Sequence, residues 1–238
     1  MRRVLVTGGG SGIGRAIARA FADAGDDVTI TGRRMAPMEE TSTGRMTCVQ
    51  ADVTNEAQMQ AVFERPFDVV VANAGVAHWS KLPETTLEQW NMVQQITLTG
   101  VFLTFREALK GMEPGGRLIA IASTASLQGG IGLGAYAAAK HGVLGLVRSV
   151  AKEVARKGIT CNAVCPGFVE TEMAEEGVRN LMDRFGIDRD DAVGRITGPN
   201  PMRRMIQPEE VSSAVLYLAS AGASSVNGHA LSVSGGEV

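Results

Sequence analysis

The sequence predicts an α/β fold in which one parallel sheet is covered by helices on both faces. Three observations carry this expectation. Short apolar runs alternate with longer amphipathic stretches, a glycine cluster joins the first run to the first amphipathic stretch, and no repeat, low-complexity tract or Pro/Ser-rich linker interrupts the series. The chain has 238 residues, 45% hydrophobic and 20% charged, enough for a single domain over residues 1–238 with a well-buried core.

The elements follow in order. Arg3–Thr7 reads as a first strand, and Ile13–Ala24 carries apolar residues at helical spacing until Gly25 stops it. Asp27–Thr31 is the next strand. Met46–Ala51, Phe67–Ala72 and Arg117–Ala122 are further buried strands, each with helical sequence after it. Tyr136–Lys157 is a long helix rich in small residues, and Ile159–Val164 is the strand beyond Gly158. Pro208–Ser220 is another helix and His229–Val233 a final strand. Right-handed crossovers turn this alternation into a doubly wound, Rossmann-type sheet. The exception is the stretch 170–204, polar, charged and weakly periodic. Two readings stay open for it, a substrate lid or a pair of short surface helices.

Charge and cysteine usage exclude several classes. A formal net charge of −2 without a Lys/Arg block argues against a nucleic-acid partner but leaves an anionic substrate open, because a local pocket can oppose the global sign. Met1-Arg2-Arg3 before Val4–Val6 imitates the start of a signal sequence, but the apolar run stops at Thr7–Gly10. That is too short for a signal core or a membrane span, so a cytoplasmic chain without membrane contact is expected. Cys48, Cys161 and Cys165 leave one thiol unpaired in any scheme, and Cys161 and Cys165, in an apolar strand-like segment, read as buried thiols. His78, His141 and His229 are scattered without ligand spacing, so no metal is expected.

Thr7-Gly8-Gly9-Gly10-Ser11-Gly12-Ile13-Gly14 falls where the first strand hands over to the first helix. Glycine there permits a tight turn and close approach of backbone to a pyrophosphate, and the helix start offers free N–H groups and the positive dipole end. The second strand should end beside the adenosine ribose, where a carboxylate would favour NAD and a base NADP. It ends Thr31-Gly32-Arg33-Arg34, with Asp26 and Asp27 at the wrong end, so NADP is preferred over NAD through Arg33. Solvated arginines and the neutral Ser11 weigh against that preference.

Tyr136 and Lys140 open the long helix four residues apart and so share a face. A phenol with a free pKa of about 10 is a poor acid at neutral pH. A neighbouring ammonium should lower it and let the tyrosine pass a proton to or from a carbonyl oxygen as hydride moves at carbon. Ser123 ends the strand Arg117–Ala122, at the carboxyl edge where such sheets bind ligands, and can donate to the same oxygen. Thr124 and Ser126 are its rivals. Asn73-Ala74-Gly75 closes an earlier strand at that edge, as a cofactor contact or simply as a turn.

Taken together, Thr7–Gly14 with its Gly8, Gly12, Gly14 spacing, Asp52-Val53, Asn73-Ala74-Gly75, Ser123, Tyr136/Lys140 and Pro166-Gly167 with Thr171 resemble a classical short-chain dehydrogenase/reductase over essentially the whole chain. The resemblance implies that Gly8, Ser11, Gly12, Ile13, Gly14, Asn73, Ala74 and Gly75 hold the dinucleotide. It further implies that Asp52 and Val53 hold the adenine, that Lys140 bonds the nicotinamide ribose beside Tyr136, and that the stretch Pro166-Gly167-Phe168-Val169-Glu170-Thr171 binds the nicotinamide amide, with Pro166, Gly167, Val169 and Thr171 as its contacts. It also implies an oligomer, a homotetramer or homodimer. Two positions depart from the family pattern. Thr97 stands before Leu98-Thr99-Gly100-Val101-Phe102 where an asparagine is usual, and Ser234 precedes Gly235-Gly236 where an aspartate is common.

Asn200–Arg204, Gln207–Glu210 and the ending Gly235–Val238 look most like bacterial reductases of 3-oxoacyl thioesters. Arg179, Arg184, Arg189, Arg195, Arg203 and Arg204 could meet a phosphopantetheine or CoA phosphate, or merely balance the acidic residues around them. Three expectations follow: a ketone reductase acting on a 3-oxoacyl thioester, a dehydrogenase of a sugar, polyol, steroid or cyclic alcohol, and a non-catalytic dinucleotide-binding sensor.

Overall fold

Seven parallel strands form one sheet: β1 (Arg3–Thr7), β2 (Asp27–Gly32), β3 (Thr47–Gln50), β4 (Val69–Ala72), β5 (Arg117–Ile121), β6 (Thr160–Pro166) and β7 (Ala230–Val233). This computed structural model describes all residues from Met1 to Val238. The strand order is β3-β2-β1-β4-β5-β6-β7, with every neighbouring pair parallel. The winding reverses between β1 and β4, and that reversal opens a crevice at their carboxyl ends.

The strands read as continuous apolar runs because both faces of the sheet are covered. Leu5, Val70, Leu118, Cys161 and Ala163 face one layer, where they pack with α5 (Gly100–Gly111) and α6 (Gly134–Val154) through Val101, Phe105, Val143 and Val147. Val4, Val6, Val69, Val71, Ile119 and Val164 face the other, against α1 (Gly12–Asp23) and α9 (Pro208–Leu218) through Ile17, Phe21, Val211 and Val215. Each of these larger side chains contributes about 1.5–3 kcal/mol by leaving water. Three shorter helices, α2 (Met35–Ser42), α3 (Glu56–Val62) and α4 (Leu87–Gln94), and the pair described next complete the helical layers.

The polar stretch folds as two helices, α7 (Glu172–Phe185) and α8 (Arg189–Thr197). Thr171 and Asp188 cap their starts, accepting from the N–H groups of Ala174 and Asp191, and Gly186 at φ +61 ends the first. Ala174, Val178, Ala192, Ile196 and Met205 give the pair a small core of its own. A parallel bridge between Val169 and Ile206 closes the base of the insertion. The other expected elements stand, with shifted ends. The long helix begins at Gly134, and its last residues, Ala155–Lys157, tighten into a 3₁₀ turn before Gly158. No helix is long and apolar enough to cross a membrane.

Candidate active site

The site starts from the glycine turn. Gly8 and Gly12 take φ of +67° and +49°, a region that disfavours side chains. Gly14 lies so close beneath the turn that a methyl there would sit 2.2 Å from the Gly8 carbonyl oxygen. Ser11 precedes α1 in an extended conformation, and its hydroxyl makes no capping bond. The first N–H groups of the helix are therefore left for an anion, with no acidic side chain in the first turn. Asn73 joins this turn across the winding reversal: its Nδ2 donates to the carbonyls of Thr7 (3.0 Å) and Gly8 (3.2 Å). In return Thr7 Oγ1 accepts from the N–H of Asn73 and of Ala74. Asn73-Ala74-Gly75 is thus more than a turn, because it clamps β4 to the glycine loop.

A cleft of about 600 Å³ runs along this edge of the sheet. At one end lie Arg33 and Arg34, both exposed and neither paired with a carboxylate, together with Asp52 and Val53. The Asp52 carboxylate is engaged in its own turn, accepting from Thr54 N–H (2.9 Å) and Oγ1 (2.8 Å). Free N–H groups at a helix start, glycines that let backbone close in, and unpaired guanidinium groups beyond them fit a dinucleotide with its phosphates at α1.

Ser123, Tyr136 and Lys140 line the middle of the same cleft. Ser123 follows β5, where its Oγ accepts from the Ala125 N–H at 3.1 Å. Of its rivals, Ser126 turns inward to accept from the Ser123 N–H, and Thr124 is buried. Lys140 is buried and donates to the Ile121 carbonyl at 2.6 Å. Its ammonium stands 5.6 Å from the centre of the Tyr136 ring. Burial lowers the pKa of Lys140 to about 8. The phenol moves opposite to the sequence expectation: burial pushes the Tyr136 pKa up, and a hydrogen bond from Ser123 only partly offsets this. Desolvation is the larger influence on both groups, shifting each towards its neutral form, although the ammonium of Lys140 stays protonated at neutral pH.

Thr97 sits behind this trio in a π-helical turn, Gln95–Thr99, fully buried. Its Oγ1 donates to the Val76 carbonyl (3.0 Å) and accepts from the Val76 N–H (3.1 Å), fixing the chain after Gly75.

Pro166, Gly167, Phe168, Val169 and Thr171 complete the lining, and the other expected catalytic and cofactor residues reach the cleft with them. Glu170 does not; its carboxylate accepts from Gln207 Nε2. Among the further lining residues, Trp79, Gln128 and Glu237 had no signal in the sequence strong enough to mark them. Trp79 and Phe168 stack at 6.5 Å between ring centres, and Gln128 Nε2 donates to Glu237 at 2.7 Å. None of the six arginines of the insertion lines the cleft. Arg189 pairs with Glu175, Arg204 with Glu210, and Arg184 and Arg195 lie over the Phe185 ring. The geometry supports the charge-balancing reading for Arg189, whose carboxylate partner lies in the same stretch.

The comparisons agree with this geometry. A family model described as enoyl-(acyl carrier protein) reductase matches residues 8–237. The chain is similar to a putative ketoacyl reductase of Streptomyces coelicolor, at 40% identity over 98% of this chain and 95% of the relative. It is also similar to a 3-oxoacyl-[acyl-carrier-protein] reductase of Synechocystis, at 34% identity over 98% of this chain and 96% of the relative. Among solved structures, a variant of actinorhodin polyketide ketoreductase with NADPH superposes with a TM-score of 0.93, at 36% identity, covering 99% of this chain and 97% of that one. A glycine turn built for a dinucleotide and a Ser-Tyr-Lys trio at the sheet edge, matched across the whole length, place this chain in the short-chain dehydrogenase/reductase family, as an NAD(P)-dependent oxidoreductase acting on a ketone.

Proposed function

We propose that the chain reduces the ketone of a 3-oxoacyl thioester with NADPH. The observation that carries this reading is the convergence of Ser123, Tyr136 and Lys140 beside one continuous cleft, with unpaired guanidinium groups at its far end. The nicotinamide supplies hydride when bound. Tyr136 protonates the carbonyl oxygen, Ser123 donates to the same oxygen as charge develops, and Lys140 stabilises the phenolate left behind. Gly8, Ser11, Gly12, Ile13 and Gly14 would hold the pyrophosphate, with Asn73, Ala74 and Gly75 alongside. Asp52 and Val53 would hold the adenine, Arg33 a 2′-phosphate, and Pro166, Gly167, Val169 and Thr171 the nicotinamide amide.

The relatives named for ketoacyl and 3-oxoacyl substrates support the substrate class, and the neighbour with NADPH supports the cofactor preference. The insertion 170–204 acts as the substrate lid in this reading, since Thr171–Ala174 and Pro199 line the cleft while the rest packs on its own core. A cytoplasmic homotetramer or homodimer completes it. One observation favours a second reading, a cyclic or aromatic ketone or alcohol: the Trp79–Phe168 stack presents flat apolar surface at the cleft. Nothing in the site or among the relatives supports the sensor.

The test follows absorbance of reduced nicotinamide with acetoacetyl-CoA and either NADPH or NADH. Oxidation of NADPH that disappears in Tyr136→Phe supports the proposal. Bound cofactor without turnover of the thioester sinks it and directs attention to cyclic ketones.

A further inference from the structure

The end of the chain builds one wall of the cleft. Gly235 and Gly236 take φ of +65° and +90°, and a methyl on Gly235 would lie 2.2 Å from Asn200 Oδ1. Asn200 is buried and locked, donating to the Arg204 carbonyl and accepting from the Met202 N–H, both at 2.8 Å. Pro201 packs on Gly236. The paired glycines therefore serve to let the Asn200-Pro201 corner press on the tail, and this fixes where Glu237 goes. Its carboxylate reaches Gln128 on the loop that follows Ser123, and one oxygen would lie 3.0 Å from a methyl on Gly167.

The carboxylate consequently faces the cleft between the loops of β5 and β6, across the winding reversal from Arg33 and Arg34. Charge along the cleft is divided. The cations Arg33 and Arg34 stand at the β2 end; at the other end the charged lining is Glu172 and Glu237, apart from the buried Lys140, whose ammonium is already given to Ile121. Trp79 and Phe168 add uncharged, flat surface there. An anionic group next to the reacting carbonyl would meet a fixed like charge in a partly desolvated space, which penalises it. An ester, thioester or ring carbon in the same place would not.

Resting on the ketone-reductase reading, we infer that this cleft accepts carbonyl compounds flanked by uncharged groups and rejects free 3-oxo acids, with Glu237 setting the discrimination. Acetoacetate and methyl acetoacetate differ by that charge and a single methyl group. Their affinities for the full chain saturated with NADP⁺ are measured by ligand-observed NMR titration, for wild type and Glu237→Gln. The substitution keeps an oxygen for Gln128 and removes the charge. The expected result is that wild type binds the ester about tenfold or more tighter than the acid, and that the ratio shrinks to about twofold in Glu237→Gln. Equal binding of both ligands by wild type, failure to bind the ester, or a ratio unchanged in the variant overturns the inference. Turnover is read separately with NADPH and NADH. Discrimination that depends on Glu237 without reduction of either ketone would sink the reductase reading and leave the charge filter standing.

Discussion

The Lys140 ammonium donates to the carbonyl of Ile121 at 2.6 Å, tying the second turn of α6 to the last residue of β5 beneath Ser123 and Tyr136. A charge held in the core by one neutral carbonyl is placed there at a cost to the fold. That cost can be measured.

Burial lowers the pKa of Lys140 from 10.5 to about 8, which corresponds to about 3 kcal/mol against the charged form. Below pH 8 the lysine is charged in both folded and unfolded chains, and the fold bears the full cost. Between about 8 and 10.5 the unfolded chain holds the proton more tightly, so folded stability rises with pH across that window. Lys140→Met is therefore expected to unfold about 1–3 kcal/mol later than wild type at pH 7, with the gap closing towards pH 10, while reductase activity is lost. Thermal melts at the two pH values check the sign.

Thr97 bonds both polar groups of the Val76 peptide from a fully buried position. Thr97→Val keeps the shape and leaves both groups unsatisfied, at about 1–3 kcal/mol each. The expected outcome is a lower Tm and a fall in kcat of about tenfold or more, because the chain after Gly75 loses its anchor beside Lys140. Thr97→Ser should restore both, and a kcat that is indifferent to the hydroxyl would reduce Thr97 to a packing residue.

Arg33 has no carboxylate partner and lines the cleft beyond the end of β2. A charge-assisted bond to a 2′-phosphate contributes about 1.5–3 kcal/mol. Arg33→Ala should accordingly raise KM for NADPH by roughly 10–100-fold and leave KM for NADH nearly alone. Equal effects on the two cofactors would contradict the preference for NADP.

Two glycine substitutions should act in opposite directions. A methyl on Gly14 meets Gly8 O at 2.2 Å and Asn73 Nδ2 at 2.5 Å, so Gly14→Ala must disrupt the turn or the Asn73 clamp. Loss of dinucleotide binding and a lower Tm are expected. Gly145 lies exposed in α6 with nothing within 4 Å of an added methyl, so Gly145→Ala should stabilise the fold by about 0.5–1 kcal/mol. Calorimetry and cofactor titration of both variants check the pair.

The sequence by itself determined the sheet, because strands buried on both faces must be apolar at every position and Val4–Val6 and Val69–Val71 have no other use. It determined the lower half of the site as well: Gly8, Gly12 and Gly14 are bound to one local turn, and Tyr136 and Lys140 share a helix face by spacing alone. Within the insertion the Asp188 cap and the Gly186 stop are local signals for helices, although the weak periodicity hid them. Tertiary structure alone decided the rest. Whether burial or the ammonium governs Tyr136 depends on how much water the folded cleft admits, and no spacing in the chain reports that. Trp79 and Phe168 meet across 89 residues, and Gln128 and Glu237 across 109. Such pairs sit on loops whose conformation comes from what they pack against. The sequence therefore carries the chemistry of this site, and the packing of its loops carries the choice of substrate.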